Sequence, residues 1–295
     1  MSDLIQLMIG PFVACMVLVA MFGYLGIHII AREVIFVDLS LAQMAALGST
    51  CALLIGVSPD SRYGYGFALA FTVLGALIFA MTRTKLERRR VPQEAIIGIV
   101  FVVASAATML AAHRAATGAE AVKDILVGSI LWVNWPGIIN LALVFLAVGL
   151  FQWFFRERFV TISLNERSAE QRGWNIRWWD FLFYVSFGVA ITMAVPIAGV
   201  LLVFTFLVVP AVVAFLFTRR MVLLLAISWL TSAFASAVGL GLSFQFDLPT
   251  GPLIVCVFGL TLLGAGLICG RFPVPTCGNQ NGYAAQSRRE RATRG

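Results

Sequence analysis

The sequence alternates between long stretches without a single Asp, Glu, Lys or Arg and short polar interruptions. The charge-free stretches run Leu4–Ala31, Leu39–Pro59, Tyr63–Thr82, Ala95–Ala112, Ile125–Phe155, Phe181–Thr218, Met221–Phe246 and Leu248–Gly270. A helix needs about 20 residues to cross ~30 Å of hydrocarbon, so most of these make one crossing each. Phe181–Thr218 is too long for one, and Pro196 and Gly199 divide it in two. Ile125–Phe155 is also overlong. Asn134, Pro136 and Gly137 separate a short segment near 121–133 from a full helix starting at about Pro136. The pattern predicts nine spans, at about 6–31, 35–56, 64–82, 94–112, 136–155, 179–197, 199–217, 221–242 and 250–270. The segment at 121–133 reads as a short or re-entrant helix between the fourth and fifth. The fold class is all-α integral membrane, a polytopic helical bundle of 8–9 transmembrane helices over residues 1–271.

The positions of Lys and Arg orient the bundle, because short cytoplasmic loops carry the excess of positive charge. With the Arg83–Arg90 loop inside, alternation places 18 of the 21 basic residues in the cytoplasm, leaving Arg62, Arg114 and Lys123 outside. The N-terminus is then outside and the C-terminus inside. No basic region precedes the first apolar run, which reads as a retained span rather than a cleaved signal. Residues 272–295, rich in Gly, Asn, Gln, Ser and Arg, read as a disordered basic cytoplasmic tail able to touch anionic lipid.

Composition agrees with the pattern. Of 295 residues, 60% are hydrophobic and 12% charged, against roughly 25% charged in soluble domains. The net charge of +7 does not signal nucleic acid, since the basic residues sit in loops between apolar runs. The five cysteines form no C-x-x-C and read as small apolar residues, not disulfides.

Several chemistries are excluded. A phosphate-cradling loop needs Gly-Lys, and neither Lys85 nor Lys123 follows a glycine, so the chain is not an ordinary ATP-hydrolysing subunit. With His28 and His113 the only histidines, and no nucleophile–base motif, an intramembrane enzyme is disfavoured. A secondary transporter coupled to protons would place ionisable residues at mid-membrane, and the span centres have none.

The polar groups that remain are the candidates. Asp38 and Gln43 stand in the first turns of the second span, where polar residues face a cavity or a partner helix rather than lipid. Five residues apart, they lie about 140° apart around a regular helix and share no face. Asp38 could equally sit near the surface beside Arg32 or at the helix N-terminus. His28 is the spare imidazole. Asp247 lies in a Pro-stiffened turn before the last span, either a metal-entry ligand or a capping carboxylate. The longest polar interruption, about 156–178, separates the fifth and sixth spans on the cytoplasmic side. Within it Asn165-Glu166-Arg167-Ser168-Ala169-Glu170-Gln171-Arg172 reads as a short helix stopped by Gly173, a polar element suited to docking or simply a solvated loop.

Taken together, five segments resemble the permease subunits of the zinc/manganese/iron ABC importer family. They are Gly26-Ile27-His28 through Arg32 with Phe36 through Gly48; Gln93-Glu94-Ala95-Ile96-Ile97-Gly98-Ile99; Asp124-Ile125-Leu126-Val127-Gly128-Ser129-Ile130-Leu131; Gly199-Val200-Leu201-Leu202-Val203-Phe204 through Pro210 and Ala214; and Asp247-Leu248-Pro249-Thr250-Gly251-Pro252. They occur in the family's order over most of residues 20–260. The resemblance implies a homodimeric permease in the cell inner membrane, a pathway along the dimer interface, and no permanently bound cofactor. It implies transported Zn2+, or Mn2+ or Fe2+, with zinc expected first. The implied partners are a cytoplasmic ATPase subunit that uses the ATP and an extracytoplasmic (periplasmic) metal-binding protein. The ATPase would dock on Asn165, Glu166, Arg167, Glu170, Arg172 and Gly173. The pathway residues expected are Asp38, Gln43, His28 and Asp247. One departure stands out: aligned on Gly48, Leu39 occupies the place of the family's pathway Asp and Gln43 that of its His. The alternative within the ABC class is a permease for a metal chelate or cobalamin-like ligand.

Overall fold

The computed structural model describes residues 2–58, 61–83, 91–114, 128, 130–164 and 166–271, side chains at 2–7, 166, 167, 270 and 271 excepted. Eleven α-helices and a 3-10 turn make up its regular structure, with no strand among the described residues. The helices are α1 (Ser2–Ala31), α2 (Val37–Leu54), α3 (Arg62–Thr82), α4 (Gln93–Arg114), α5 (Trp135–Phe154), α6 (Arg156–Leu164), α7 (Glu166–Gln171), α8 (Ile176–Ala198), α9 (Val200–Phe217), α10 (Met221–Phe246) and α11 (Thr250–Arg271). Nine of them, all but α6 and α7, are long and apolar enough to cross a membrane. Their bounds fall within a few residues of those read from the charge-free stretches. The short segment expected at 121–133 lies largely outside the described residues, which show only the 3-10 turn Ile130–Trp132 there. The tail at 272–295 lies outside them altogether.

The helices begin where the sequence supplies acceptors for their first N–H groups. Ser61 caps α3 through Gly64 N–H (3.0 Å), and Asn134 caps α5 through Gly137 N–H (2.8 Å), with Pro136 in the first turn. Asn175 does the same for α8 through Trp178 N–H (3.4 Å). The α8–α9 break falls at Gly199, whose φ of +78° serves both as the stop of one helix and the start of the next. Gly128 packs onto that break. A Cβ there would lie 2.2 Å from Gly199 N, so two glycines in one contact let the backbones meet.

Helices α1, α2, α8 and α9 form the middle of the bundle, with α3, α4, α5, α10 and α11 around them. Small residues let them close up. A Cβ on Gly26 would strike Leu207 O of α9, one on Gly48 would strike Phe67 O of α3, and one on Gly188 would meet Thr72 Cγ2. The core is aromatic toward the end that carries α6, where Phe155, Phe159, Trp179, Phe183 and Phe187 pack ring on ring. Outward, α4, α5 and α11 present Leu, Ile and Val, as helices facing lipid do.

One element was not expected. The interruption after α5 holds two helices, not one, because Phe155 ends α5 and Arg156–Leu164 continues as α6. Phe159, Ile162 and Ser163 of α6 point inward at helical spacing, so this polar-looking stretch is amphipathic and lies against the core. Helix α7 follows as anticipated, and Gly173 with φ +70° marks its end.

Candidate functional site

Two polar constellations occupy the end of the bundle that carries α6 and α7. The first lies between α2 and α4. Asp38, in the first turn of α2, is 2% exposed, and its Oδ1 has no hydrogen-bond partner. Glu94, in the first turn of α4, accepts the Phe36 N–H at Oε1 (2.9 Å) and so fastens the α1–α2 turn. Its Oε2 is buried and also without a partner. The two carboxylates are close enough to act on each other electrostatically. The buried Asp38 and the half-buried Glu94 each leave a carboxyl oxygen without a partner, and a cation is a ligand that such oxygens can take. Among the described residues no group of three or more His, Cys, Asp and Glu forms a closed metal site. An open, two-oxygen arrangement suits an ion that must leave again.

Gln43 faces elsewhere. Phe36, Leu39, Gln43 and Leu47 form the incompletely buried stripe of α2, while Asp38, Leu41, Ala42, Ala45 and Ala46 face the core. The Phe36 ring stacks on Phe204 of α9 at 6.4 Å, and Leu201 of α9 is exposed beside it. Asp38 and Gln43 thus differ in burial, Asp38 buried and Gln43 half-buried. The Gln43 amide makes no hydrogen bond with the described residues, so a polar group in a span is left facing outward.

The second constellation joins the ends of α1, α3, α6 and α8. Arg32 Nη1 donates to Asp180 Oδ1 (2.6 Å), and its Nε donates to Ser163 Oγ (2.7 Å). Arg83 pairs with the other Asp180 oxygen, and Arg177 Nε donates to the Arg83 carbonyl (3.2 Å). Asp180 is fully buried, and Arg32 lies over the Phe183 ring at 4.0 Å. Burial lowers the Arg32 pKa, and the Asp180 carboxylate opposes that shift. Both arginines stand at helix C-termini, where the helix dipole favours positive charge, and Asp180 lies in the second turn of α8.

His28 belongs to this second group and not to the first. Ser163 donates its hydroxyl to Phe159 O (2.8 Å) and accepts from Arg32, so the His28 Nδ1 at 2.8 Å from it carries the donated proton. Arg32 pairs with Asp180 rather than with Asp38. Asp247 is exposed in the α10–α11 turn with φ +52°, where its N–H caps α10 through Ser243 O. Of the expected docking residues, Glu170, Arg172 and Gly173 lie at the surface or half-buried around α7, and Arg172 pairs with Glu157 at 3.3 Å. Asn165 lies outside the described residues.

A profile of the ABC 3 transport family matches residues 4–268, nearly the whole of the helical bundle. The chain belongs to the ABC 3 transport family. It is 27% identical over 213 residues to the manganese transport system membrane protein MntC of Listeria innocua, covering 70% of this chain and 73% of that one. It is 28% identical over 211 residues to the chelated iron transport system membrane protein YfeC of Yersinia pestis, with 71% of each chain covered. Its fold matches PsaBC from Streptococcus pneumoniae, solved in complex with Fab, at a TM-score of 0.72 and 20% identity over 88% of this chain and 90% of that one. This member of the ABC 3 transport family is therefore a multi-pass membrane protein.

Glu94, Arg32, Arg83 and Asp180 were not singled out as site residues in the sequence. Asp180 stands at the mouth of a charge-free stretch, where it reads as the last loop residue. A lone acid opening a span, with arginines closing two others, was the available signal.

Proposed function

We propose that this ABC 3 family member is the permease subunit of an importer for a divalent transition metal in the cell inner membrane. A separate ATPase subunit would power it, and an extracytoplasmic metal-binding protein would supply it. The observation that carries the reading is the family match over 4–268 on nine apolar helices, with a polar α6–α7 module at one end. In this reading that end is cytoplasmic and α7 receives the ATPase. Asp247, exposed at the opposite end, meets the delivered ion. The pathway passes the α2 stripe, where a second copy of the chain covers Gln43, since an amide left in hydrocarbon costs several kcal/mol. Asp38 and Glu94 attract the ion at the inner mouth.

Manganese or ferrous iron stands ahead of zinc. The donors available are carboxylate and amide oxygens, which suit Mn2+ better than the imidazole and thiolate that favour zinc. Manganese and chelated iron are also what the two relatives are named for. A chelated metal is the second reading. Leu39 and Gln43 make the α2 stripe free of ionisable groups, and such a surface suits a neutral complex.

Uptake of manganese into proteoliposomes holding the permease and its ATPase tests this. Uptake should require ATP. Asp38→Ala and Gln43→Ala should each lower it by at least about tenfold, the loss that even an outer-shell partner of a metal site brings. Unchanged uptake in both variants would remove these residues from the pathway. Competition by the chelated but not the free ion would select the second reading.

A further inference from the structure

We propose that Arg32, Asp180 and Arg83 are positioning residues for transport, forming a charged joint that carries the motion of α7 into the spans that line the pathway. The inference rests on the reading above in one respect, that the ATPase docks at α7.

The joint is built from three helix ends and reaches a fourth. Arg177 and Asp180, three residues apart on the first two turns of α8, grip Arg83 at two points, its carbonyl and its guanidinium. Arg32 holds the other Asp180 oxygen and at the same time Ser163, in the last turn of α6. Helix α7 is fixed to what surrounds it. Ala169 is fully buried, and its carbonyl accepts the Trp174 N–H (3.2 Å) just ahead of α8. Glu157 of α6 pairs at the surface with Arg172, just beyond the same C-terminal end of α7. A push on α7 is therefore transmitted both to Ser163 and to the start of α8, and the two routes converge on Asp180.

From the joint the motion has rigid carriers. Helix α8 meets α3 without space for a Cβ at Gly188, where Thr72 Cγ2 would be in the way, and α3 meets α2 equally closely at Gly48. Helix α2 holds Asp38 and Gln43. On the other side Arg32 closes α1, which lies against α9 through Gly26.

Charge is suited to this task in a way that apolar packing is not. Leu and Phe contacts slide past one another at little cost, because dispersion has no direction. A buried carboxylate between two guanidiniums cannot release either without leaving an uncompensated charge in a low-dielectric interior. The contact therefore stays closed while the helices move, and force applied at one end is not lost in slippage. The apolar rings around it, Phe183 above all, exclude the water that would soften it.

The test is the number of metal ions taken up per ATP hydrolysed, measured in proteoliposomes holding the permease and its ATPase. Arg83→Gln is the informative variant, because it leaves Arg32 and Asp180 as a neutral pair. The complex should still assemble and hydrolyse ATP. Uptake per ATP should fall at least ~5-fold, the lower end of ordinary coupling between sites. Arg83→Lys, which keeps the charge, should restore most of it. Arg83→Gln with an unchanged ratio in assembled complexes would overturn the proposal, even if less complex were recovered, because a purely structural role lowers the amount and not the ratio. Should that variant fail to assemble, Asp180→Glu, which keeps the charge on a longer arm, serves in its place under the same criterion. Failure of the unaltered permease to bind the ATPase would instead overturn the docking reading, and this one with it.

Discussion

Asp38 and Gln43 illustrate how much depends on where a single side chain points. Both are polar groups in the first turns of α2, yet Asp38 is buried while Gln43 lies half-buried on the incompletely buried stripe of the helix. Their roles under the transport reading differ accordingly, one setting the potential at the mouth and the other contacting what passes. Asp180 is the residue on which most depends energetically. Removing its carboxylate leaves two buried guanidiniums facing each other, and uncoupling a buried ion pair from one side costs about 3–5 kcal/mol. We expect Asp180→Ala to melt well below the unaltered protein in detergent, by thermal unfolding. An equal melting temperature would mean that water reaches the joint.

At the scale of elements, the spans and the α6–α7 module obey different rules. The spans were legible because lipid admits no charge, so each charge-free stretch of sufficient length had to be a crossing. Helix α7 was legible because Gly173 ends a run of helix-forming polar residues. Helix α6 was not, since its Arg156, Glu157 and Arg158 resemble loop while its stability comes from Phe159 meeting Trp179 and Phe183 and from the burial of Ile162. That is a tertiary contact, with no local signature beyond a short amphipathic turn. Replacing Glu170 and Arg172 together with Ala should weaken co-purification of the ATPase while moving stability by no more than about 1 kcal/mol, since Glu170 is half-buried and the Arg172–Glu157 pair is at the surface. Intact binding in a pull-down would place the docking surface elsewhere.

For the whole molecule, the stripe Phe36, Leu39, Gln43 and Leu47 is the feature that a single copy leaves unfinished. An amide facing outward in a span is expensive in lipid and inexpensive against a partner helix or an aqueous path. We expect the purified permease to have the protein mass of two copies by light scattering in detergent. A single-copy mass that persists with the ATPase bound would require another cover for Gln43.

The order of the nine spans among the described residues, the break at Gly199 and the polar helix before α8 were determined by the sequence alone, because each follows from a local balance: charge against lipid, or backbone freedom at glycine. Family membership was likewise legible from short segments in order. What only the tertiary structure decided was which buried charges meet. Arg32, Arg83 and Asp180 are separated by tens of residues and come together because three helix ends converge, and Glu94 meets the Phe36 N–H beside α2 for the same reason. Periodicity reports the medium around each helix separately. The pairing of charges between helices depends on how the helices pack, and packing is a property of the assembled bundle.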